Sequence, residues 1–401
     1  MSRIGRTRLR RIATQAGAVA IGASMANALG YVLTVVAARR LVPAEFGAFS
    51  ALLALVIVGN VAALAVQATS ARNIAQHRPT GATVGGGLLL ASVVGAGLAG
   101  GTPLLTEFLS LPSSASAVAA AVAIAAMTAT GPALGVVQGH ERFRLLGLLV
   151  AGQAALRVAG GLLGMAVSPT ASGALVGMAA GLVCAGVIGW VVARPPLRPA
   201  SGMWPAIFAT LGAGGLLLGF IVMTNADVIL ARHVLTPEQS GIYGAGAIFT
   251  KIAFWLPQFV PLVAFPALAD PARRRAAIRL GLIAVVGCGA ALVVVAAVFA
   301  RPAVMLVAGD QYLGLTPWVA GFTALGAVFA VSQLLVYAHL ASGDRPTVVV
   351  VWCVLIAYIA LVELTATSLA GVLFPALGAA CVVALWGLGR EKRQHQAVKV
   401  N

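Results

Sequence analysis

Charge is what this sequence has least of. Lysine, arginine, aspartate and glutamate make up 9% of its 401 residues, against about 25% in a soluble domain. With 60% hydrophobic residues and a mean hydropathy of +1.00, too few polar side chains remain to cover a fold in water. A soluble enzyme or binding domain is excluded, and lipid must solvate the exterior. Cysteine is scarce too. Cys184, Cys288, Cys353 and Cys381 all fall inside apolar runs and none forms a CxxC. That excludes a disulfide framework and a thiolate metal site, and the four thiols are read as small buried hydrophobes. Long polar loops are also missing. A membrane glycosyltransferase or polymerase needs a sizeable external loop carrying acidic groups, whereas the external acids here, Glu45, Glu107, Glu238 and Asp310, are isolated along the chain. The chain is read as a non-enzyme with no cofactor and no metal site.

What is abundant is continuous apolar sequence. Runs of about 20 residues suit a transmembrane helix, and twelve occur, near 16–38, 48–70, 81–105, 114–138, 145–167, 170–193, 204–231, 241–266, 276–300, 314–340, 346–366 and 368–389. They are too long and unbroken for a strand barrel. The first is also too long for the core of a cleaved signal peptide. The expected fold is an all-α polytopic membrane protein of about twelve transmembrane helices.

The net charge of +16 would suggest nucleic acid in a soluble protein, but the basic residues lie between the apolar runs and report topology instead. Twenty of the 26 lie in one alternating set of segments: 1–15, 71–80, 139–144, 194–203, 267–279, 341–345 and 390–401. The other set holds Arg39, Arg40, Arg232 and Arg301, and Arg157 and Lys251 fall within spans. The positive-inside rule then puts both termini in the cytoplasm. The basic tail, with Arg390, Lys392, Arg393 and Lys399, is expected on anionic headgroups of the membrane.

The chain also repeats itself. Arg39 and Glu45, at the end of the first span, match Arg232 and Glu238 at the end of the seventh, and after one inserted residue Gly47 and Phe49 match Gly241 and Tyr243. Gly139-His140-Glu141-Arg142 is echoed by Gly343-Asp344-Arg345. An offset of six spans is even, so both halves have one orientation. The expectation is two parallel-repeat six-helix bundles, residues 1–199 and 200–401, around a central cavity.

Polar side chains inside the membrane are costly and mark that cavity. Ser24, Asn27, Tyr31 and Thr34 form one stripe on the first span, and Asn60 and Gln67 share a face of the second. Asn225 and Asp227 lie near the external end of the seventh. Lys251, Trp255 and Gln258 share a face of the eighth. Lys251 lies ten residues past Gly241, so about 15 Å deep, where a cation costs roughly 2.5–3.5 kcal/mol. It is read as a contact for an anionic lipid phosphate, with a fixed ion pair to Asp227 or Glu363 as the bland reading. Arg157, deep in the fifth span, either binds phosphate or braces helix packing. Arg39 and Arg232 are candidates for an external gate, or for simple helix C-terminal cations. Pro257, Pro261 and Pro266 are expected to kink the eighth span.

These motifs resemble one family. The stretch Ala37–Ser50, containing Arg39-Arg40-Leu41-Val42-Pro43-Ala44-Glu45-Phe46-Gly47, is similar to the first external turn of bacterial polysaccharide exporters. So are Gln138-Gly139-His140-Glu141-Arg142-Phe143, Asp227-Val228-Ile229-Leu230 with Gly241-Ile242-Tyr243, and Gly309-Asp310-Gln311-Tyr312. That family belongs to the multidrug/oligosaccharidyl-lipid/polysaccharide exporter superfamily. The resemblance implies a flippase in a bacterial inner membrane that carries an undecaprenyl-pyrophosphate oligosaccharide outward by alternating access. Its implied partners are the lipid-linked oligosaccharide and polysaccharide-assembly proteins. A cation-coupled multidrug exporter of the same superfamily is the alternative, and Asp227 keeps it open.

Overall fold

The computed structural model describes residues 3–77, 81–196, 215–258, 274–342 and 345–400. Among them the regular structure is all helical, joined by short loops, with no strand. Helices α1 (Arg3–Arg40), α2 (Pro43–Ala75), α3 (Gly81–Gly100), α4 (Thr102–Phe108), α5 (Ser114–Gly139), α6 (Phe143–Val167) and α7 (Ala171–Ala193) come first. Then follow α8 (Gly215–Val234), α9 (Pro237–Trp255), α10 (Arg274–Val298), α11 (Ala300–Val307), α12 (Val319–Ser342), α13 (Arg345–Thr365) and α14 (Leu369–Val400). Short 3₁₀ turns occupy Leu256–Gln258 and Asp310–Trp318.

Eleven of these elements are long and apolar enough to cross a membrane, and the protein is a polytopic all-α membrane protein. The eighth expected span is not among the eleven: its described helix, α9, is 19 residues long and carries Glu238 and Lys251. It ends at the 3₁₀ turn that contains Pro257. Pro261 and Pro266 lie outside the described residues, as do Gly343 and Asp344 of the loop echo.

Chemistry sets the breaks. The third expected span divides into α3 and α4 at Gly101, where Pro103 opens the new helix. The ninth, expected over 276–300, ends at Val298, and the short α11 follows it with Pro302 in its first turn. A proline in the first turn needs no donor and presets the helical φ.

Two compact units are present: Met1–Leu41 with Leu55–Gly214, and Val42–Ala54 with Gly215–Asn401. In the first, α6 packs on α1 and α7, and α5 packs on α3 and α7. Glycine makes the α5 contact with α2 close: a Cβ at Gly135 would lie 2.5 Å from the Gln67 carbonyl oxygen, and one at Gly131 would lie 2.6 Å from that of Ala63. Gly160 and Gly164 of α6 meet Gly177 and Gly173 of α7 backbone to backbone. Small residues at four-residue spacing allow such approach where no hydrophobic effect drives helices together. In the second unit, α12 packs on α9, α10 and α14, and α13 packs on α8 and α14.

The cysteines depart from expectation. Cys184 and Cys353 are exposed and Cys288 and Cys381 partly so. The outer faces of membrane helices are apolar too, so a thiol is as well solvated by hydrocarbon there as in a core.

Candidate functional site

In the first unit a polar pocket of about 210 Å³ opens among membrane-spanning helices. Asn27 of α1, Asn60 and Gln67 of α2, and Gln153 and Arg157 of α6 line it, with apolar Met127 and Leu182. Close packing at glycine builds it. A Cβ on Gly30 would lie 3.3 Å from an Arg157 guanidinium nitrogen, so the cation rests beside the α1 backbone. Arg157 lies 14 residues from the start of α6 and ten from its end, about 21 and 15 Å. No acidic side chain or carbonyl pairs with it among the described residues, and its buried Nε has no hydrogen-bond partner. Gln67 donates to Gln138 Oε1 at 2.8 Å, which fixes one wall. Tyr31, half-buried one turn beyond Asn27, keeps its buried hydroxyl unpartnered.

Gln153 is absent from the residues expected at a site. It precedes Arg157 by four, so the two share a helix face, and that spacing was visible in the sequence.

The second unit gathers the other polar residues. Asp227 of α8 is 1% exposed, and its Oδ2 accepts from the Tyr243 hydroxyl of α9 at 3.3 Å while Oδ1 has no partner. Lys251 of α9, half-buried, interacts electrostatically with Asp227 without a direct ion-pair contact. Helix α9 starts earlier than the hydropathy run suggested. Thr236 and Gln239 form a capping box with Pro237 in the first turn, so Lys251 lies about 21 Å along the helix rather than 15 Å. Glu363, the other acid considered for it, pairs with His233 at 3.4 Å. Asn225 is buried and donates to the Ile221 carbonyl at 2.8 Å, which leaves its Oδ1 unpartnered. Trp255 is half-buried with its ring 5.7 Å from that of Phe254. Gln258 closes the 3₁₀ turn, and its side chain lies outside the described residues.

The repeat residues meet each other in this unit. Arg232 is 2% exposed and donates to the Ala44 carbonyl and to Ser240 Oγ, each at 3.1 Å. Glu45 and Glu238, isolated along the sequence, both act electrostatically on that guanidinium. The glycines they flank make the crossing: a Cβ at Gly47 would lie 2.8 Å from the Gly241 nitrogen, and one at Gly241 would strike the Pro43 carbonyl. Arg39, the repeat partner of Arg232, is exposed at the end of α1.

No group of three or more His, Cys, Asp or Glu is placed to hold a metal ion among the described residues. Chemically, the first unit offers an uncompensated cation among amide side chains, which suits an anionic oxygen-rich ligand. The second offers a buried carboxylate with a tyrosine and a lysine near it.

The chain matches no protein-family model and no curated protein. Its likeness to solved structures extends over nearly its whole length. It is similar to the lipid II flippase MurJ in an inward closed conformation, with a TM-score of 0.76 and 11% identity over 93% of this chain and 87% of that one. It is similar to the inward-facing conformation of a multidrug resistance MATE family transporter of the MOP superfamily, with a TM-score of 0.71 and 11% identity over 94% and 99%. A eukaryotic MATE transporter, AtDTX14, gives a TM-score of 0.68 and 13% identity over 94% and 95%. The chain has the fold these transporters share.

Proposed function

We propose that this protein is a membrane transporter that flips a lipid-linked oligosaccharide, of the undecaprenyl-pyrophosphate type, from the cytoplasmic to the external leaflet of a bacterial inner membrane for polysaccharide biosynthesis. The observation that carries the reading is Arg157. A guanidinium in the hydrocarbon costs roughly 2.5–3.5 kcal/mol, and here no described residue offsets that with a counter-charge. A passing pyrophosphate would do so, and Asn27, Asn60, Gln67 and Gln153 would bond its oxygens and the sugar hydroxyls. The likeness in fold to a lipid II flippase supports a lipid-linked substrate. Two six-helix halves, 1–199 and 200–401, would alternate access. The membrane potential would assist, since outward movement of an anion gains about 2.3 kcal/mol per charge per 100 mV. Both termini would be cytoplasmic, and polysaccharide-assembly proteins would be the partners in the membrane.

The second reading is a cation-coupled multidrug exporter. Buried Asp227 and the likeness in fold to MATE transporters favour it. A deletion strain separates the two. The flippase reading expects loss of surface polysaccharide and accumulation of cytoplasm-facing lipid-linked oligosaccharide, with drug susceptibility unchanged. Drug hypersensitivity with normal polysaccharide would favour the exporter.

A further inference from the structure

Asp227 presents a problem that the pocket around Arg157 does not solve. Its carboxylate is 1% exposed, one oxygen accepts from the Tyr243 hydroxyl at 3.3 Å, the other has no hydrogen-bond partner, and the Asp227 and Val228 backbone N–H groups also act on it. A second buried hydroxyl nearby, that of Tyr358, is also unpartnered and interacts electrostatically with Asp227. A buried carboxylate that stays ionised needs a positive charge nearby. Helices α8 and α9 pack on each other. Asp227 is seven residues before the end of α8 and Tyr243 six after the start of α9, about 9–11 Å in from their adjoining ends. Lys251 lies eight residues deeper on α9, about 12 Å along the axis. The Cα–Cβ bond of a helical residue tilts toward the N-terminus of its own helix, which for Lys251 is the end of α9 that carries Tyr243. The two charges interact without touching.

We infer that Lys251 is a tethered counter-cation for Asp227, so that this carboxylate takes no cation from solution, and that an anionic substrate competes with Asp227 for the one ammonium group. In the resting state the ammonium leans to Asp227. When an anion reaches the lysine from below, the ammonium turns to it and leaves Asp227 to Tyr243. The first half of this statement is independent of the proposed substrate; the second rests on it.

The sodium test comes first, on the purified full-length protein at constant ionic strength, with sodium chloride titrated against N-methylglucamine chloride. A ligand that binds only the folded state raises Tm with its concentration. The wild-type Tm is expected to be the same in both salts. K251M is expected to gain a saturable rise of several degrees with sodium, the double variant K251M/D227N to lose it, and K251R to behave as wild type. A saturable sodium-dependent rise in the wild type would overturn the inference without any variant, and so would a K251M protein as indifferent to sodium as the wild type. Binding to nanodiscs containing phosphatidic acid tests the competition. D227N should bind at least threefold tighter than wild type and K251M at least threefold weaker. Weaker binding by D227N would overturn the competition. Absence of binding by every form would contradict the anionic-substrate reading while the sodium result still decides the counter-cation.

Discussion

Replacing Arg157 with methionine separates a ligand-binding cation from a structural one. The guanidinium sits about 15–21 Å from either end of α6, has no partner for its Nε, and lines a cavity of about 210 Å³. Its removal relieves an insertion cost of roughly 2.5–3.5 kcal/mol and breaks no described hydrogen bond. R157M should therefore melt at the wild-type temperature or above. A charge-assisted bond to phosphate contributes about 1.5–3 kcal/mol, and each 1.4 kcal/mol is about tenfold in affinity. Binding of an anionic lipid-linked oligosaccharide should fall roughly 10–150-fold. Differential scanning fluorimetry and microscale thermophoresis on one preparation measure both. A bracing arginine predicts the reverse pattern: Tm several degrees lower, with unchanged affinity in the surviving protein. That result would make Arg157 a packing residue and not a ligand contact.

The repeat crossing gives two further predictions. Valine at Gly241 forces a side chain against the Pro43 carbonyl and should cost about 1–3 kcal/mol, seen as a lower Tm; G97A, whose new methyl meets nothing within 4 Å, should be neutral. R232A leaves the Ala44 carbonyl, Glu45 and Glu238 without their guanidinium, and should destabilise by about 1–3 kcal/mol, with R232K intermediate in the same melt. A fluorescent-protein fusion after Asn401 should mature in cells, whereas an alkaline phosphatase fusion after Leu41 should be active; the opposite pattern would invert the topology.

Much of this was legible in the sequence because bilayer physics is blunt. Twenty apolar residues read as a span wherever they occur, and eleven of the twelve expected spans have helices of that kind. The equivalence of Gly47 and Gly241 was legible as a repeat, but that their backbones meet was not: only the fold brings the two glycines together. Helix interruptions were harder: hydropathy runs straight through Gly101, where Pro103 restarts the helix. The start of α9 was misplaced because its capping box is polar and hydropathy discards it. At the candidate site, the face shared by Asn27 and Tyr31 followed from period alone. That Asn60 of α2 and Arg157 of α6 line one pocket with Asn27 required the tertiary fold. So did the convergence of Glu45 and Glu238 on Arg232, since residues nearly two hundred positions apart announce no contact.

The proposed transport has a cation held inside the membrane carry an anionic lipid headgroup across. Its most direct measurement is flipping in proteoliposomes, with a fluorescent undecaprenyl-pyrophosphate oligosaccharide and a membrane-impermeant quencher. Wild-type protein is expected to bring the inner-leaflet fraction into reach of the quencher far faster than protein-free vesicles, and R157M to fall to the protein-free rate while remaining folded. Flipping by R157M at the wild-type rate, or no acceleration by the wild type under an imposed potential, would contradict it.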